Sequence, residues 1–88
     1  MNVEFLEQFG EDVDAISQKS IRMRILSLIA KIDAADNILE IANVKKLKGH
    51  KSAYRIRISD YRVGVFVEKG TTTFARVVNR KDIYRVFP

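Results

Sequence analysis

Cysteine is absent from this chain, and proline and histidine occur once each. Without cysteine there is no disulfide framework, no thiolate zinc site and no cysteine nucleophile. One histidine, His50, excludes a histidine-rich metal site. Long apolar runs are missing as well: none approaches the ~20 residues needed to cross a bilayer. The start, Met1-Asn2-Val3-Glu4-Phe5, lacks the basic-then-apolar pattern of a secretory signal. These absences predict a protein without a membrane span, at work in a reducing cytoplasm. Repeats, linkers and low-complexity stretches are also lacking, so residues 1–88 read as a single domain.

What is present is apolar residue and positive charge. Hydrophobic residues make up 47% of the 88, enough for one core without staples. The net charge of +5 is unevenly placed. Residues 1–43 hold four Lys/Arg and eight Asp/Glu, a net of −4, whereas residues 44–88 hold twelve and three, a net of +9. A second half this basic suits a polyanion, although a solvated basic surface would give the same count.

Periodicity divides the chain. Val3 and Phe5 alternate with polar neighbours, as in a short strand. Phe9, Val13 and Ile16 then recur at helical spacing with Glu11, Asp12 and Asp14 opposite. Ser20 stands where it could cap a second helix or form a tight connection. Beyond it, Ile21, Ile25, Leu28, Ile29 and Ile32, widened by Leu26 and Ala30, predict a helix buried over much of its circumference. Asp36 or Asn37 can open a further short helical segment anchored by Ile38 and Ile41. Val44 to Gly49 reads as a basic connector with Val44 and Leu47 docked on the core. Three strands follow, Tyr54–Ile58, Tyr61–Val67 and Thr72–Asn79, and residues 80–87 close the chain as one helical turn. The order β-α-α-β-β-β implies an α+β fold, a strand and helical hairpin packed on one face of an antiparallel sheet.

The strand alternation has a chemical consequence. Tyr54, Ile56 and Ile58 point one way, Arg55 and Arg57 the other. A two-residue loop at Ser59-Asp60 pairs Ile58 with Tyr61 and sets Arg57 opposite Arg62. Like charges facing each other across a ladder cost about 0.3 kcal/mol. A phosphate would relieve the pair, because arginine grips two of its oxygens at once; shielding of a solvent-facing sheet is the plainer explanation. A three-residue connection, Lys69-Gly70-Thr71, would pair Phe66 with Phe74 and Gly64 with Arg76. It would bring Arg76 onto the same face, with Gly64 leaving room for that side chain or for a ligand backbone. Within a closing helical turn, Arg80 and Tyr84 share a face. Tyr84 suits base stacking, and equally a rim aromatic.

Leu47-Lys48-Gly49, Tyr54-Arg55-Ile56-Arg57-Ile58, Asp60-Tyr61-Arg62-Val63 and Arg80-Lys81-Asp82-Ile83-Tyr84-Arg85 together resemble the RelE/ParE toxin superfamily, over nearly the whole chain. The resemblance implies the toxin of a toxin–antitoxin pair, held inactive in a hetero-oligomer by a cognate acidic antitoxin laid over the basic sheet or the helical hairpin. RelE-like members act in the ribosomal A site and cleave mRNA through the substrate's own 2′-hydroxyl, without metal or organic cofactor. By matching position, Arg57, Arg62, Arg80 and Tyr84 would be catalytic. Lys46, Lys48, Arg55, Arg76 and Lys81 would bind RNA. Arginine is a poor base, with a pKa above ~12. Some relatives carry lysines where this chain has Arg55 and Arg57, and many a histidine at the position of Asn79. Their loss leaves Tyr84 as the proton-transfer candidate; His50 reads as a solvent-exposed loop residue. ParE-like members instead poison DNA gyrase, and a non-catalytic RNA-binding module could use the same basic face. Those two remain the alternatives at this level.

Overall fold

The computed structural model describes all 88 residues. The chain runs β1 (Asn2–Phe5), α1 (Glu7–Asp14), α2 (Lys19–Ala34), a 3-10 turn (Ile38–Glu40), β2 (Val44–Lys46), β3 (Ala53–Ile58), β4 (Tyr61–Glu68), β5 (Thr71–Asn79) and α3 (Ile83–Val86). The strands form one five-stranded sheet in the order β1-β5-β4-β3-β2. The expected α+β order is therefore present, with two differences. β1 lies parallel to β5, so the sheet is mixed rather than antiparallel. The basic connector is itself a strand: Val44 to Lys46 pair antiparallel with Ile56 to Tyr54. Three residues with two lysines give too short an alternation to recognise in sequence, yet they suffice to edge a sheet whose neighbour is already formed. No helix is long and apolar enough to cross a membrane.

The main core lies between the helices and one face of the sheet. Phe9, Ile21, Ile25, Leu28 and Ile32 meet Ile56, Ile58, Val63, Val65, Phe74 and Val77 there. Each fully buried side chain of this size contributes about 2 kcal/mol in area removed from water. The helix α2 is buried on one stripe only. Leu26 is 59% exposed and Ala30 also faces outward, contrary to the wide burial expected, because a single layer of sheet covers a single helical face. Asn37 opens the short helical turn as expected, its side-chain oxygen accepting from the Leu39 N–H at 2.9 Å.

The loop chemistry sets the strand register. Ser59-Asp60 is a two-residue loop with Ser59 at φ 51°, and it pairs Ile58 with Tyr61 and Arg57 with Arg62, as the sequence predicts. The next loop is also two residues, Lys69-Gly70, both at positive φ, rather than the three expected. Phe66 therefore faces Thr73, not Phe74. Gly64 still faces Arg76, because a bulge inserts Ala75 between the pairs Val65–Phe74 and Gly64–Arg76.

The second face of the sheet carries a smaller core. Ala53 and Ala75 from the strands enclose Ile83 and Phe87, all of them buried. Below them the same face carries the arginines.

Candidate functional site

Arg55 and Arg57 on β3 and Arg62 on β4 share the face opposite the helices, fixed there by strand alternation and the Ser59-Asp60 loop. With Asn43, Val44, Lys45 and Tyr84 they line an open cleft of about 410 Å³. A second cleft of similar size adjoins it, lined by Arg24, Asn43, Arg57, Ser59, Asp60, Arg62 and Arg80. Arg57, Arg62 and Asn43 belong to both, so the two form one continuous basic surface.

The arginines are held from behind. Arg57 donates through Nη2 to the Asn43 side-chain oxygen at 3.3 Å, and its backbone N–H donates to the Asn43 carbonyl at 3.2 Å. Asn43 adopts a left-handed backbone, φ 65°, which asparagine tolerates better than most residues. Arg62 donates through one terminal nitrogen to the carbonyls of Ser59 and Tyr61, at 3.0 and 2.9 Å. The remaining donors of its fork are left for a ligand. The hairpin turn that sets the register thus also aims Arg62.

Tyr84 stands at the mouth of the first cleft, 74% exposed. The Arg55 guanidinium lies over its ring, 4.5 Å from the centroid. Arg55, through its donor groups and then its charge, holds the Tyr84 phenol below the usual tyrosine range, with Lys45 and Arg62 adding to the effect. The arrangement therefore combines fixed cationic donors for an anionic centre with a phenol whose proton is easier to remove than usual.

Several expected site residues stand elsewhere. Arg76 does not join the arginine face. Its guanidinium pairs with the Asp12 carboxylate, at 2.7 Å from Nε and 3.2 Å from Nη2. Asp12 in turn accepts the Val77 backbone N–H at 3.0 Å. Periodicity had put Asp12 on the solvent side of α1, but it is buried against β5. Burial by itself would raise its carboxyl; the hydrogen bonds from Arg76, Val77 and Gln8 outweigh that and hold it below the ordinary range. The space at Gly64 is filled by the Phe87 ring, not by Arg76 or a ligand.

Lys46 faces Tyr54 across the β2–β3 ladder and so lies on the helix side of the sheet, its ammonium 5.9 Å from the Tyr54 ring. Lys45, its neighbour, faces Arg55 and lines the cleft. Without β2 as a strand, no alternation distinguished the two lysines. Lys48 and Lys81 are exposed and line neither cleft. Helix α3 begins only at Ile83, so Arg80 and Tyr84 do not share a helical face; they border adjoining clefts instead. Asn79 caps the turn before α3, accepting the Lys81 N–H at 3.0 Å. Arg24, Asn43 and Lys45 also line the clefts, and sequence reasoning did not single them out. Arg24 and Asn43 approach from outside the hairpin, and only the tertiary fold brings them in.

On the helix side, Phe5, Phe9, Val13, Met23, Leu26 and Ile29 border an apolar groove of about 480 Å³ between β1, α1 and α2. It lies across the sheet from the arginine clefts.

No family model matches the chain. Toxin RelE3 of Methanocaldococcus jannaschii is 36% identical over 89 residues, covering all of both sequences. The RelB–RelE antitoxin–toxin complex from Methanococcus jannaschii contains a chain with TM-score 0.83 and 34% identity, covering 97% of this chain and 99% of that one. The archaeal RelE–RelB complex from Pyrococcus horikoshii OT3 aligns with TM-score 0.74 at 23% identity, over 90% and 93%, and at that identity shows the shared fold.

Proposed function

The chain belongs to the RelE family of toxins, and on that premise we propose that it is the toxin of a toxin–antitoxin pair, acting as an endoribonuclease on mRNA in the ribosomal A site. The observation that carries this reading is the placement of Arg57 and Arg62 opposite each other, with Tyr84 and Arg55 stacked beside them on one cleft.

Cleavage by attack of a 2′-oxygen on the adjacent phosphorus needs three things. The 2′-hydroxyl must lose a proton, the pentavalent centre must be stabilised as it gains charge, and the departing 5′-oxygen must be protonated. Arg57 and Arg62 fit the second role, since each presents a charged fork already held in place, Arg57 by the Asn43 side chain and Arg62 by the Ser59 and Tyr61 carbonyls. Before RNA binds, their mutual repulsion is an unrelieved cost; a phosphate placed between them removes it. Tyr84 fits proton transfer, because Arg55 lowers its pKa and its exposure leaves the phenol open to substrate. Lys45 and Arg55 border the same cleft as backbone contacts, and Arg80 extends the path of the strand into the second cleft.

The RelE relatives whose structures were solved with RelB support a cognate antitoxin for this chain as well. An acidic partner would neutralise the clefts by covering Arg57 and Arg62 or by displacing the α3 segment that carries Tyr84.

Primer extension on a translated mRNA after induction tests the reading. Cuts at the A-site codon, lost in Arg57→Ala and Arg62→Ala, are expected. DNA damage without such cuts would support gyrase poisoning instead. Retained RNA binding with neither effect would support a non-catalytic module.

A further inference from the structure

Tyr84 has almost no burial of its own, so something else must fix where its phenol stands. Its neighbours in α3 do so. Ile83 is fully buried and Phe87 is 5% exposed, and both enter the second core, under Ala53 and Ala75. The turn is closed by the Phe87 N–H donating to the Ile83 carbonyl at 2.9 Å. Tyr84 thus sits between two anchors, one residue before it and one three residues after.

The seat of the second anchor is unusually specific. A Cβ built on Gly64 would lie 2.5 to 2.7 Å from three carbons of the Phe87 ring, closer than real side-chain contacts come. Gly64 has an ordinary backbone conformation, so conformational freedom does not explain glycine there. The missing side chain does: it is the hole that the ring fills. The Phe66 ring also packs against it, with centroids 5.0 Å apart and the planes tilted. The cross-strand partner of Gly64 is Arg55, the residue stacked on Tyr84. A closed circuit results, in which Gly64 seats Phe87, Phe87 and Ile83 hold the turn bearing Tyr84, and Tyr84 meets Arg55 beside Gly64.

We propose that Phe87 is a positioning residue for Tyr84, and that the glycine at 64 exists to seat it. This inference rests on the proposed role of Tyr84, but it makes a claim about geometry that can be read without any cleavage. The cations facing the Tyr84 cleft are Lys45 from β2, Arg55 and Arg57 from β3, and Arg62 from β4. If the anchor is loosened, the phenol leaves them and titrates like an ordinary tyrosine.

The experiment is a pH titration of tyrosine ring carbons by NMR in the full chain, with Tyr84→Phe identifying the Tyr84 signal. The variants are Phe87→Ala, Phe87→Leu and Gly64→Ala, each checked for cooperative thermal unfolding. The Tyr84 midpoint is expected to rise in Phe87→Ala and Gly64→Ala, and to rise less in Phe87→Leu. Cleavage should fall mainly in kcat, with RNA affinity through Arg57 and Arg62 retained. Gly64→Ala and Phe87→Leu keep the question answerable should Phe87→Ala not fold. An unchanged Tyr84 midpoint in folded Phe87→Ala or in folded Gly64→Ala would overturn the proposal. A raised midpoint in a protein that never cuts RNA would uphold the anchor and sink the nuclease reading alone.

Discussion

Arg57 on β3 stands directly across the ladder from Arg62 on β4, two like charges brought face to face by a two-residue loop. A fold selected for stability alone would avoid this pair, and relieving it separates stability from activity. Replacing Arg62 by threonine relieves a repulsion of about 0.3 kcal/mol but also removes the bonds to the Ser59 and Tyr61 carbonyls, so denaturant unfolding is expected to show a stability change within about 1 kcal/mol. The same change should slow cleavage about 100-fold or more, the usual loss of one donor to a developing oxyanion. A variant that is both less stable and fully active would contradict this account of the pair.

The Arg55–Tyr84 stack gives a pH dependence. Arg55 lowers the Tyr84 pKa, so the phenolate gains population at lower pH than in an ordinary tyrosine. Removing that charge in Arg55→Ala should move the Tyr84 ionisation upward. The limb of the pH–rate profile that disappears in Tyr84→Phe should move in the same direction. The check is an absorbance titration of the phenolate alongside rates measured over the same pH range.

Adjacent lysines on β2 are expected to behave differently. Lys45 borders the cleft beside Arg55, and Lys46 lies on the opposite face over Tyr54. Lys45→Ala should lower the salt dependence of single-stranded RNA binding by about 0.7 in slope, the loss of one phosphate contact. Lys46→Ala should leave that slope unchanged. Equal effects from the two would mean that the strand face does not order the RNA.

The Asp12–Arg76 pair is structural by this account. Asp12→Asn should cost about 2 kcal/mol at neutral pH, because it weakens charge-assisted bonds to Arg76 and to the Val77 amide. The Asp12 pKa is lowered in the folded state, so the stabilisation is complete above the unfolded carboxylate pKa. It is lost as pH falls through the folded value. Parent and variant should therefore converge in acid, as judged by urea unfolding at neutral and acidic pH. Arg76→Ala should likewise destabilise without changing RNA affinity.

The β3–β4 hairpin was legible because alternation and a two-residue loop leave one register, and with it came the Arg55, Arg57 and Arg62 face. β5 was not. A bulge at Ala75 shifts its parity midway, and no local pattern announces a bulge. Arg76 was misplaced for a related reason: the partner that claims it, Asp12, sits on a helix sixty-four residues earlier. Lys45 and Arg24 were missed because their roles arise from sheet pairing and helix docking. Tyr84 could be singled out as a candidate by resemblance, but what anchors it could not. Gly64 and Phe87 are twenty-three positions apart in sequence and meet only when α3 folds back over the sheet.

The two ends of the sheet have a further consequence for how this chain behaves in company. An open strand edge offers unpaired backbone groups to any other extended chain. At one end the outermost strand, β2, is only three residues long and carries Lys45 and Lys46, so a second chain approaching it meets charge before it finds a ladder. At the other, β1 pairs with β5 only as far as Phe74, and the Asp12 carboxylate takes the Val77 amide beyond it. Lys45, which borders the cleft, and Asp12, which tethers α1, therefore also leave less open backbone for another strand at these two places.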